Sequence, residues 1–513
     1  MPANPFDIAS LLSLGTLDEN FLTRALLELQ YFPNVKTQGE ELPPLFTSNS
    51  FSKEAATELA GLTDRELSAT AWVELRTRRF DGLVRRLGVP HPVTYSRLVM
   101  HLRSNWPLLS FLTNSDQSHI KPEWHEDGRI IHMDYETTER ILTRHTQLAQ
   151  GNHFLAKADI SSCFPSIYAH AIDWALRGKA TAKRLRNDGS WQALLDARSR
   201  NIQDGETKGL MIGPAVSNLL AEIVLQKVDE TLLSHGHVFT RYVDDYTAYC
   251  LDRSDAERFV VDLHRALGEY RLDINTKKTQ IYDLHLGDHE DWISIIYSAL
   301  PDEPAPAKVS RYLRRCESLA AEFRSKSVLK LAVKLLAGLH EDENAPVSTL
   351  EIDELVRLCQ YHPHLAPFLA RQMGLAMPTL STDDADRFEQ RLTEQLDSAA
   401  DRDETDVALW LIHIIRSVLV RSISDTTCSK LLSMNDDLVS VALVNYCTEH
   451  QPAVVSQVKN WDYVCPSDYE RHWLVRYELW RVNLLSDSDI SNQEKTWMSI
   501  LRRRNVYFSK ISN

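Results

Sequence analysis

The stretch Arg241-Tyr242-Val243-Asp244-Asp245-Tyr246 decides the fold of this chain. Residues 237–243 and 246–251, on its two sides, are rich in β-branched and aromatic residues, which predicts two strands. The two aspartates then fall at the turn of a tight hairpin. Adjacent carboxylates repel each other unless a cation neutralises them, and Mg²⁺ is the usual cation at such a pair. Taken alone, an Asp-Asp pair is more often a solvated turn.

A third acid favours the metal-binding interpretation. Asp159 ends the apolar stretch 154–159, and Pro165 opens a predicted helix that runs through residues 166–176. An acid at a strand end beside a strand-tip acid pair is the arrangement that two-metal phosphoryl transfer needs, with the cations about 3.5–4 Å apart. The sequence therefore predicts that these three aspartates converge.

Two further stretches flank the hairpin. A glycine turn at Gly213-Pro214 leads into an apolar helix predicted for residues 214–233. After the hairpin, a helix end is followed by a basic turn that contains Asn275 and Lys278, and then by another strand.

In order and spacing, these four stretches resemble motifs A, B, C and D of the palm domain of reverse transcriptases, and the resemblance covers about residues 75–284. It implies dNTP substrates and two Mg²⁺ ions, with Mn²⁺ as an alternative. Asp159 and Asp244 match the principal ligands of both metals, with Asp245 in support. Phe164 matches the aromatic gate that excludes a 2′-hydroxyl. Lys278 matches a lysine that assists pyrophosphate departure as a general acid.

The resemblance also implies further substrate contacts. Ile160 follows the motif A aspartate, and Gly213 with Pro214 lets the backbone approach a primer or base pair closely. In the predicted fingers, Arg76 and Arg79 are the candidates to contact the incoming triphosphate.

A narrower resemblance is carried by Asp159-Ile-Ser-Ser-Cys-Phe-Pro-Ser-Ile-Tyr168, by Trp174-Ala-x-x-Gly-Lys179 and by Leu210-Met-Ile-Gly213, which replaces the usual Leu-Pro-Gln-Gly of motif B. These stretches resemble the bacterial abortive-infection (Abi) and defence-associated reverse transcriptases. That group implies antiphage defence, homo-oligomers, and protein-primed synthesis of single-stranded DNA, either untemplated or templated by a partner non-coding RNA. Tyr31 and Tyr507 are the candidate priming residues.

Composition limits the other functions. The net charge of −14 opposes a uniformly basic nucleic-acid-binding surface, but the arginines and lysines are clustered before the palm, after it and near the end. With no run of about 18 apolar residues and no signal peptide pattern, we expect a cytoplasmic protein that does not enter a membrane. The seven cysteines contain no Cys-x-x-Cys pair, which argues against a zinc site.

We predict an α+β chain, with reverse-transcriptase-like fingers and palm followed by an all-α, HEAT-like helical-repeat domain. The predicted divisions are an N-terminal helical segment at 1–74, fingers at 75–150, the palm at 151–300 and the repeat domain at 307–513, which replaces a thumb. Helical patterning is also predicted from residue 55 to residue 87.

Two other functions stay open at this point. The chain could be a conventional template-copying reverse transcriptase of a retron or group II intron type. It could also be a non-catalytic scaffold whose helical repeat binds a partner, although a scaffold has no physical reason to retain three neighbouring acids.

Overall fold

The structure is a computed structural model, which describes residues 17–33, 42–63, 67–78, 82–132, 138–185, 188–284, 292–343, 345–461 and 466–511. The chain divides into two compact units, and each is assembled from separate stretches. The first unit comprises Met1–Phe32, Ser48–Ala71 and Pro90–Asp288, and the second comprises Pro33–Thr47, Trp72–Val89 and His289–Asn513.

An antiparallel four-stranded sheet lies at the centre of the first unit. Its strands are β3 (Phe154–Asp159), β4 (Val238–Tyr242), β5 (Asp245–Cys250) and β6 (Gln280–Asp283), in the spatial order β4-β5-β3-β6. The two strands predicted around the aspartate pair are therefore confirmed, and they form a hairpin. The register pairs Asp159 with Asp245, which places the end of β3 beside the start of β5.

Ten helices of the described residues accompany this sheet: α1 (Glu19–Arg24), α2 (Lys53–Ala60), α3 (Pro92–Leu109), α4 (Thr138–Ala149), α5 (Cys163–Ser166), α6 (His170–Arg177), α7 (Lys179–Arg184), α8 (Trp191–Asn201), α9 (Ala215–Ser234) and α10 (Arg253–Glu269). The predicted helix 214–233 is confirmed as α9. The predicted helix 166–176 is instead divided between α5 and α6, because Ile167 adopts an extended conformation. Most of α9 is buried, which explains its apolar sequence.

The second unit contains an antiparallel hairpin of β1 (Val73–Arg78) and β2 (Val84–Val89), with Val73 paired to Val89. The helical prediction for residues 55–87 is therefore wrong beyond the end of α2. Val73, Leu75 and Thr77 are buried while the residues between them are half-buried, so the period is two, as in a strand. The predicted fingers begin in this hairpin, whereas residues 90–150 belong to the first unit.

The rest of the second unit is helical. Its helices are α11 (Trp292–Ala299), α12 (Pro306–Phe323), α13 (Lys326–Asp342), α14 (Thr349–Tyr361), α15 (Ala366–Ala376), α16 (Thr382–Asp401), α17 (Thr405–His413), α18 (Asp425–Ser433), α19 (Asp437–Tyr446), α20 (Gln451–Asn460), α21 (Pro466–Arg471), α22 (Trp473–Arg481) and α23 (Asn492–Arg503). From α12 to α17, each helix packs against the next helix but one, and the pairs α12–α13, α14–α15 and α16–α17 also pack directly together. The all-α character is confirmed, and a HEAT-like repeat remains a prediction.

No described helix combines the length and the apolar character needed to cross a membrane. Six cysteines lie in the described residues, and all six are buried free thiols. Cys465 lies outside the described residues.

Candidate active site

The sheet brings three aspartates together at one edge. Asp159 is the last residue of β3, Asp245 is the first residue of β5, and Asp244 occupies the two-residue turn between β4 and β5. Each aspartate offers one carboxylate oxygen, and these three oxygens lie within 4.8 Å of one another. The convergence follows from the register, because β3 and β5 pair directly up to Asp159 and Asp245.

The turn that presents Asp244 is strained. Val243 has φ +55°, a left-handed conformation that a β-branched residue rarely adopts. Two hydrogen bonds hold the turn in place: the Arg241 guanidinium donates to the Val243 carbonyl at 2.9 Å, and the Ile160 backbone N–H donates to the Asp244 carbonyl at 3.2 Å. Strain of this kind persists only where surrounding contacts impose it, and such positions cluster at functional sites.

The aspartate cluster carries excess negative charge. The Lys278 ammonium donates to Asp159 Oδ1 at 3.1 Å, and the Asn275 amide donates to Asp159 Oδ2 at 3.0 Å. One ammonium offsets one of three carboxylates. Although the Asp245 side chain reaches the surface, desolvation of its carboxylate, together with the charges of Asp244 and Asp159, raises the pKa of Asp245 to about 7. The set of oxygen donors is the type that Mg²⁺ prefers.

A buried ion network supports the hairpin from below. Arg241 is fully buried and donates to both oxygens of Glu222, at 2.8 and 3.0 Å, and to Asp229 at 2.7 Å. The hydroxyl of Tyr246 also donates to Asp229, at 2.9 Å. With the bonds from Nε to Asp229 and from Nη1 to Val243, all five donors of the guanidinium are satisfied. The network thus fixes the hairpin to α9.

The structure places the predicted substrate contacts of motifs A and B in the first unit. Ile160 is buried and forms an isolated bridge with Ile274. Phe164 is half-buried on α5, and its carbonyl accepts a hydrogen bond from the Leu210 N–H at 2.8 Å. Gly213 has φ +143°, and Pro214 caps the N-terminus of α9.

A tight contact also joins motif A to motif B. Gly209 has φ +91°, and a Cβ at this position would lie 3.2 Å from the Pro165 carbonyl oxygen. The left-handed φ and the close approach together require glycine there.

The predicted fingers arginine Arg76 is bonded to residues of the second unit. Arg76 lies on β1 in the second unit, where its guanidinium bonds Asp403, Asp436 at 2.9 Å and Thr405. These partners come from sequence positions more than 320 residues away, so no local pattern indicated them. Arg79 lies outside the described residues.

The two candidate priming tyrosines differ in exposure. Tyr31 is fully buried, and its hydroxyl donates to the Pro90 carbonyl, so this hydroxyl does not reach solvent. Tyr507 is 37% exposed in the second unit, next to Arg481. Of the two candidates, Tyr507 is therefore the accessible one.

Sequence reasoning assigned no role to Asn275 or to the partners of Arg241. The signal for the network was present, since an arginine inside an apolar strand needs buried acids. Glu222 and Asp229 stand seven residues apart on an apolar helix, and this spacing places them on one face. The pairing itself became visible only in the fold.

A second group in the first unit has metal-ligating side chains. His237 Nε2 and His235 Nδ1 lie 2.9 and 3.2 Å from the same oxygen of Asp262. Arg265 approaches the other oxygen at 3.6 Å. These interactions satisfy the carboxylate within the group, in contrast to the aspartates at the hairpin.

Comparison with solved structures gives weak overall likeness. The matches include apo telomerase from Candida tropicalis (12% identity, TM-score 0.33, 67% of this chain and 68% of that chain) and a form truncated from the C-terminal domain (13%, 0.30, 43% and 51%). Telomerase from Candida albicans in complex with the TWJ fragment of telomeric RNA also matches (10%, 0.26, 68% and 67%). This chain spans about half the length of the truncated telomerase.

None of the curated proteins matches this chain in sequence. A family match comes from the model described as reverse transcriptase (RNA-dependent DNA polymerase), which covers residues 110–313. This range contains Asp159, Asp244, Asp245 and Lys278. Residues 110–313 are thus a reverse transcriptase domain, the catalytic domain of RNA-directed DNA polymerases.

Proposed function

We propose that this chain is an RNA-directed DNA polymerase, a nucleotidyltransferase that joins dNTPs into single-stranded DNA in antiphage defence. The observation that carries the proposal is the convergence of the Asp159, Asp244 and Asp245 oxygens within 4.8 Å inside a reverse transcriptase domain. A solvated turn does not account for it, because Asp159 is buried and comes from a different strand.

The cluster fits divalent cations. Its donors are all carboxylate oxygens, and desolvation together with the neighbouring negative charges raises the pKa of Asp245. Two Mg²⁺ ions, or Mn²⁺, would supply charge stabilisation for the attacking and leaving oxygens of phosphoryl transfer. Asp159 and Asp244 would hold them, with Asp245 in support.

Other side chains of the domain orient the reaction. Lys278 has its ammonium at the cluster, where it can deliver a proton to the departing pyrophosphate. Asn275 and Lys278 both bond Asp159 and so fix its carboxylate. Phe164, one short turn after Asp159, would select against a ribose 2′-hydroxyl, and Ile160, Gly213 and Pro214 would contact the substrate.

We further propose protein-primed synthesis that is untemplated or templated by a partner non-coding RNA. The replacement of the motif B glutamine in Leu210-Met-Ile-Gly213 supports this, since that glutamine helps hold the templating base pair. Tyr507, which is 37% exposed, is the candidate primer. In a homo-oligomer, the helical second unit would take the place of a thumb in binding the nascent strand.

The test is to purify the protein with its nucleic acid, add Mg²⁺ and one labelled dNTP at a time without primer or template, and resolve the products on a denaturing gel. We expect label that remains with protein until protease treatment, and RNase sensitivity then separates RNA-templated from untemplated synthesis. Incorporation that requires an external primer-template would instead identify a conventional reverse transcriptase.

Matched variants separate catalysis from scaffolding. The double substitution Asp244→Asn, Asp245→Asn should abolish incorporation, whereas Asp204→Asn, at an exposed aspartate of the same unit, should leave it unchanged. Tyr507→Phe should remove the protein-linked product while an external primer is still extended. Phage protection that survives the double substitution would contradict the polymerase proposal.

A further inference from the structure

A cluster of cations surrounds one buried tryptophan in the first unit. Trp174, on α6, is 6% exposed. The Lys179 and Lys183 ammonium groups lie 5.0 and 5.8 Å from the centroid of its ring, and the Arg271 guanidinium carbon lies 5.6 Å from it. Arg271 also stacks on the half-buried Tyr168, at 5.2 Å. Three like charges on one indole repel each other unless an anion joins them.

The protein supplies few carboxylates to balance these three cations. The Lys179 ammonium donates to the Glu269 carbonyl at 2.8 Å and lies 3.9 Å from the Glu269 carboxylate. Neither Lys183 nor Arg271 forms an ion pair with any residue in the described part of the chain, and both are exposed. By contrast, the neighbouring Arg177 is bound by Asp173 and Asp188. The cluster therefore keeps two cations available to a ligand.

Arg271 is held at a backbone position that costs free energy. It follows the end of α10 with φ +64°, and the Arg271 and Leu272 N–H groups donate to the carbonyls of Gly268 and Leu267. This is a Schellman ending, in which the left-handed residue is usually glycine. An arginine there is strained, and strain of this kind is an observation from which function is inferred.

The segment after Arg271 leads directly to the catalytic aspartates. The Asp273 carbonyl accepts a hydrogen bond from the Ser161 N–H at 2.8 Å, and the Asn275 N–H donates to the Asp159 carbonyl at 2.7 Å. Four residues of chain span at most about 14 Å, so the Arg271 backbone lies within about that distance of the Asn275 backbone, which is bonded to Asp159.

We propose that Lys183 and Arg271, with Lys179, bind the phosphodiester backbone of a single nucleic-acid strand that enters or leaves the active site. The proposal rests on the polymerase function proposed above. Exposed cations beside aromatic rings are the combination by which proteins follow single strands without reading sequence. A free nucleotide is the weaker candidate, because a small ligand is normally enclosed in a pocket.

The test uses the full chain with Lys183→Gln and Arg271→Gly together. Glycine suits the left-handed ending, so the substitution removes the charge while favouring the same backbone. Lys227→Gln is the control, because Lys227 also lies over an aromatic ring, that of Phe111, but is bonded to Glu230. Binding of a labelled single-stranded RNA of about 20 nucleotides is measured by fluorescence anisotropy against salt concentration.

We expect the double variant to bind RNA at least about tenfold more weakly at low salt. The slope of log affinity against log salt concentration should be shallower by about 1.4, which is about 0.7 for each of the two lost phosphate contacts. The control should retain the wild-type slope, and thermal unfolding should show no loss of stability. An unchanged slope would refute the proposal that these cations bind the nucleic-acid backbone. So would a raised KM for dNTP with RNA binding intact, since that result would assign the cations to the free nucleotide.

The binding assay does not depend on catalysis. If the wild-type chain fails to incorporate nucleotides, the polymerase proposal fails, while the salt slopes still report on the surface. If incorporation proceeds but the salt slopes of the variant and the wild type coincide, only the proposed role of Lys183 and Arg271 in binding nucleic acid is refuted.

Discussion

Two groups of carboxylates lie at the β4–β5 hairpin, one at its tip and one below it, and they differ in how their negative charge is balanced. At the tip, Asp159, Asp244 and Asp245 converge, and Lys278 supplies one positive charge. Below the hairpin, Arg241 donates hydrogen bonds from Nη1 and Nη2 to Glu222 and from Nε and Nη2 to Asp229.

The difference shows which cluster does chemistry and which holds the fold. A buried acid that is fully bonded has no capacity left for a ligand, and its removal leaves its partner unpaired. An acid cluster whose charge exceeds that of its cations within the chain attracts a further cation from outside. The lower cluster therefore positions the turn on which the upper cluster depends.

The largest expected effect follows from removing a charge at the tip. Asp244→Asn should lower nucleotide incorporation by at least about 10³-fold, because the site loses a carboxylate that holds the cations of the transition state. The same substitution should leave the thermal midpoint unchanged or higher, since it relieves repulsion among the aspartates. Incorporation at saturating Mg²⁺ and the melting curve are measured together, with Asp204→Asn as control. Loss of both would indicate a structural role instead.

Breaking the lower cluster should show the opposite pattern. Arg241→Met leaves Glu222 and Asp229 buried without their cation, which should lower the free energy of unfolding by about 3–5 kcal/mol. Urea unfolding followed by circular dichroism measures this. Adding Glu222→Gln and Asp229→Asn should recover part of the loss, because neutral amides are cheaper to bury than unpaired carboxylates. A single variant as stable as the wild type would show that the network does not support the hairpin.

A smaller effect is expected at the turn that links the two clusters. Val243→Gly removes the strain at φ +55° but increases the conformational entropy of the unfolded chain. Because these two effects oppose each other, the free energy of unfolding should change by less than about 1 kcal/mol. The looser turn should raise the Mg²⁺ concentration needed for half-maximal incorporation a few-fold. Val243→Asn, which tolerates the same φ with less freedom, should stay nearer to the wild type. Equal Mg²⁺ requirements in all three proteins would show that the conformation of the turn does not affect metal binding.

The smallest effect concerns a paired acid whose partner titrates. In the second unit, Glu351 accepts a hydrogen bond from His340 at 2.7 Å, and this bond raises the pKa of His340 above 6.5. Protonated His340 therefore adds stability that is fully present below its unfolded pKa and is lost as pH rises through the folded pKa. Thermal midpoints at mildly acidic and mildly alkaline pH should differ less in His340→Gln than in the wild type. An identical pH dependence in both proteins would contradict this.

Several features of this protein could be predicted from the sequence because they depend on local patterns. The hairpin follows from β-branched residues on both sides of an Asp-Asp turn, α9 follows from its apolar run, and most helices beyond residue 306 follow from their period. The order of Asp159, Gly213, Asp244 and Lys278 indicated a reverse transcriptase domain before any contact was known. β1 was predicted as helix, because short amphipathic patterns resemble each other.

Only the tertiary structure decided which residues meet across the chain. Arg76 was predicted to contact a triphosphate, but its ion pairs are with Asp403 and Asp436. Tyr31 looked like a candidate primer, but its hydroxyl is buried. Arg241, Arg271 and Trp174 acquired their roles from partners many residues away. Pattern and propensity act over a few residues, whereas burial, charge pairing and strain depend on packing between distant segments, which a single sequence does not display.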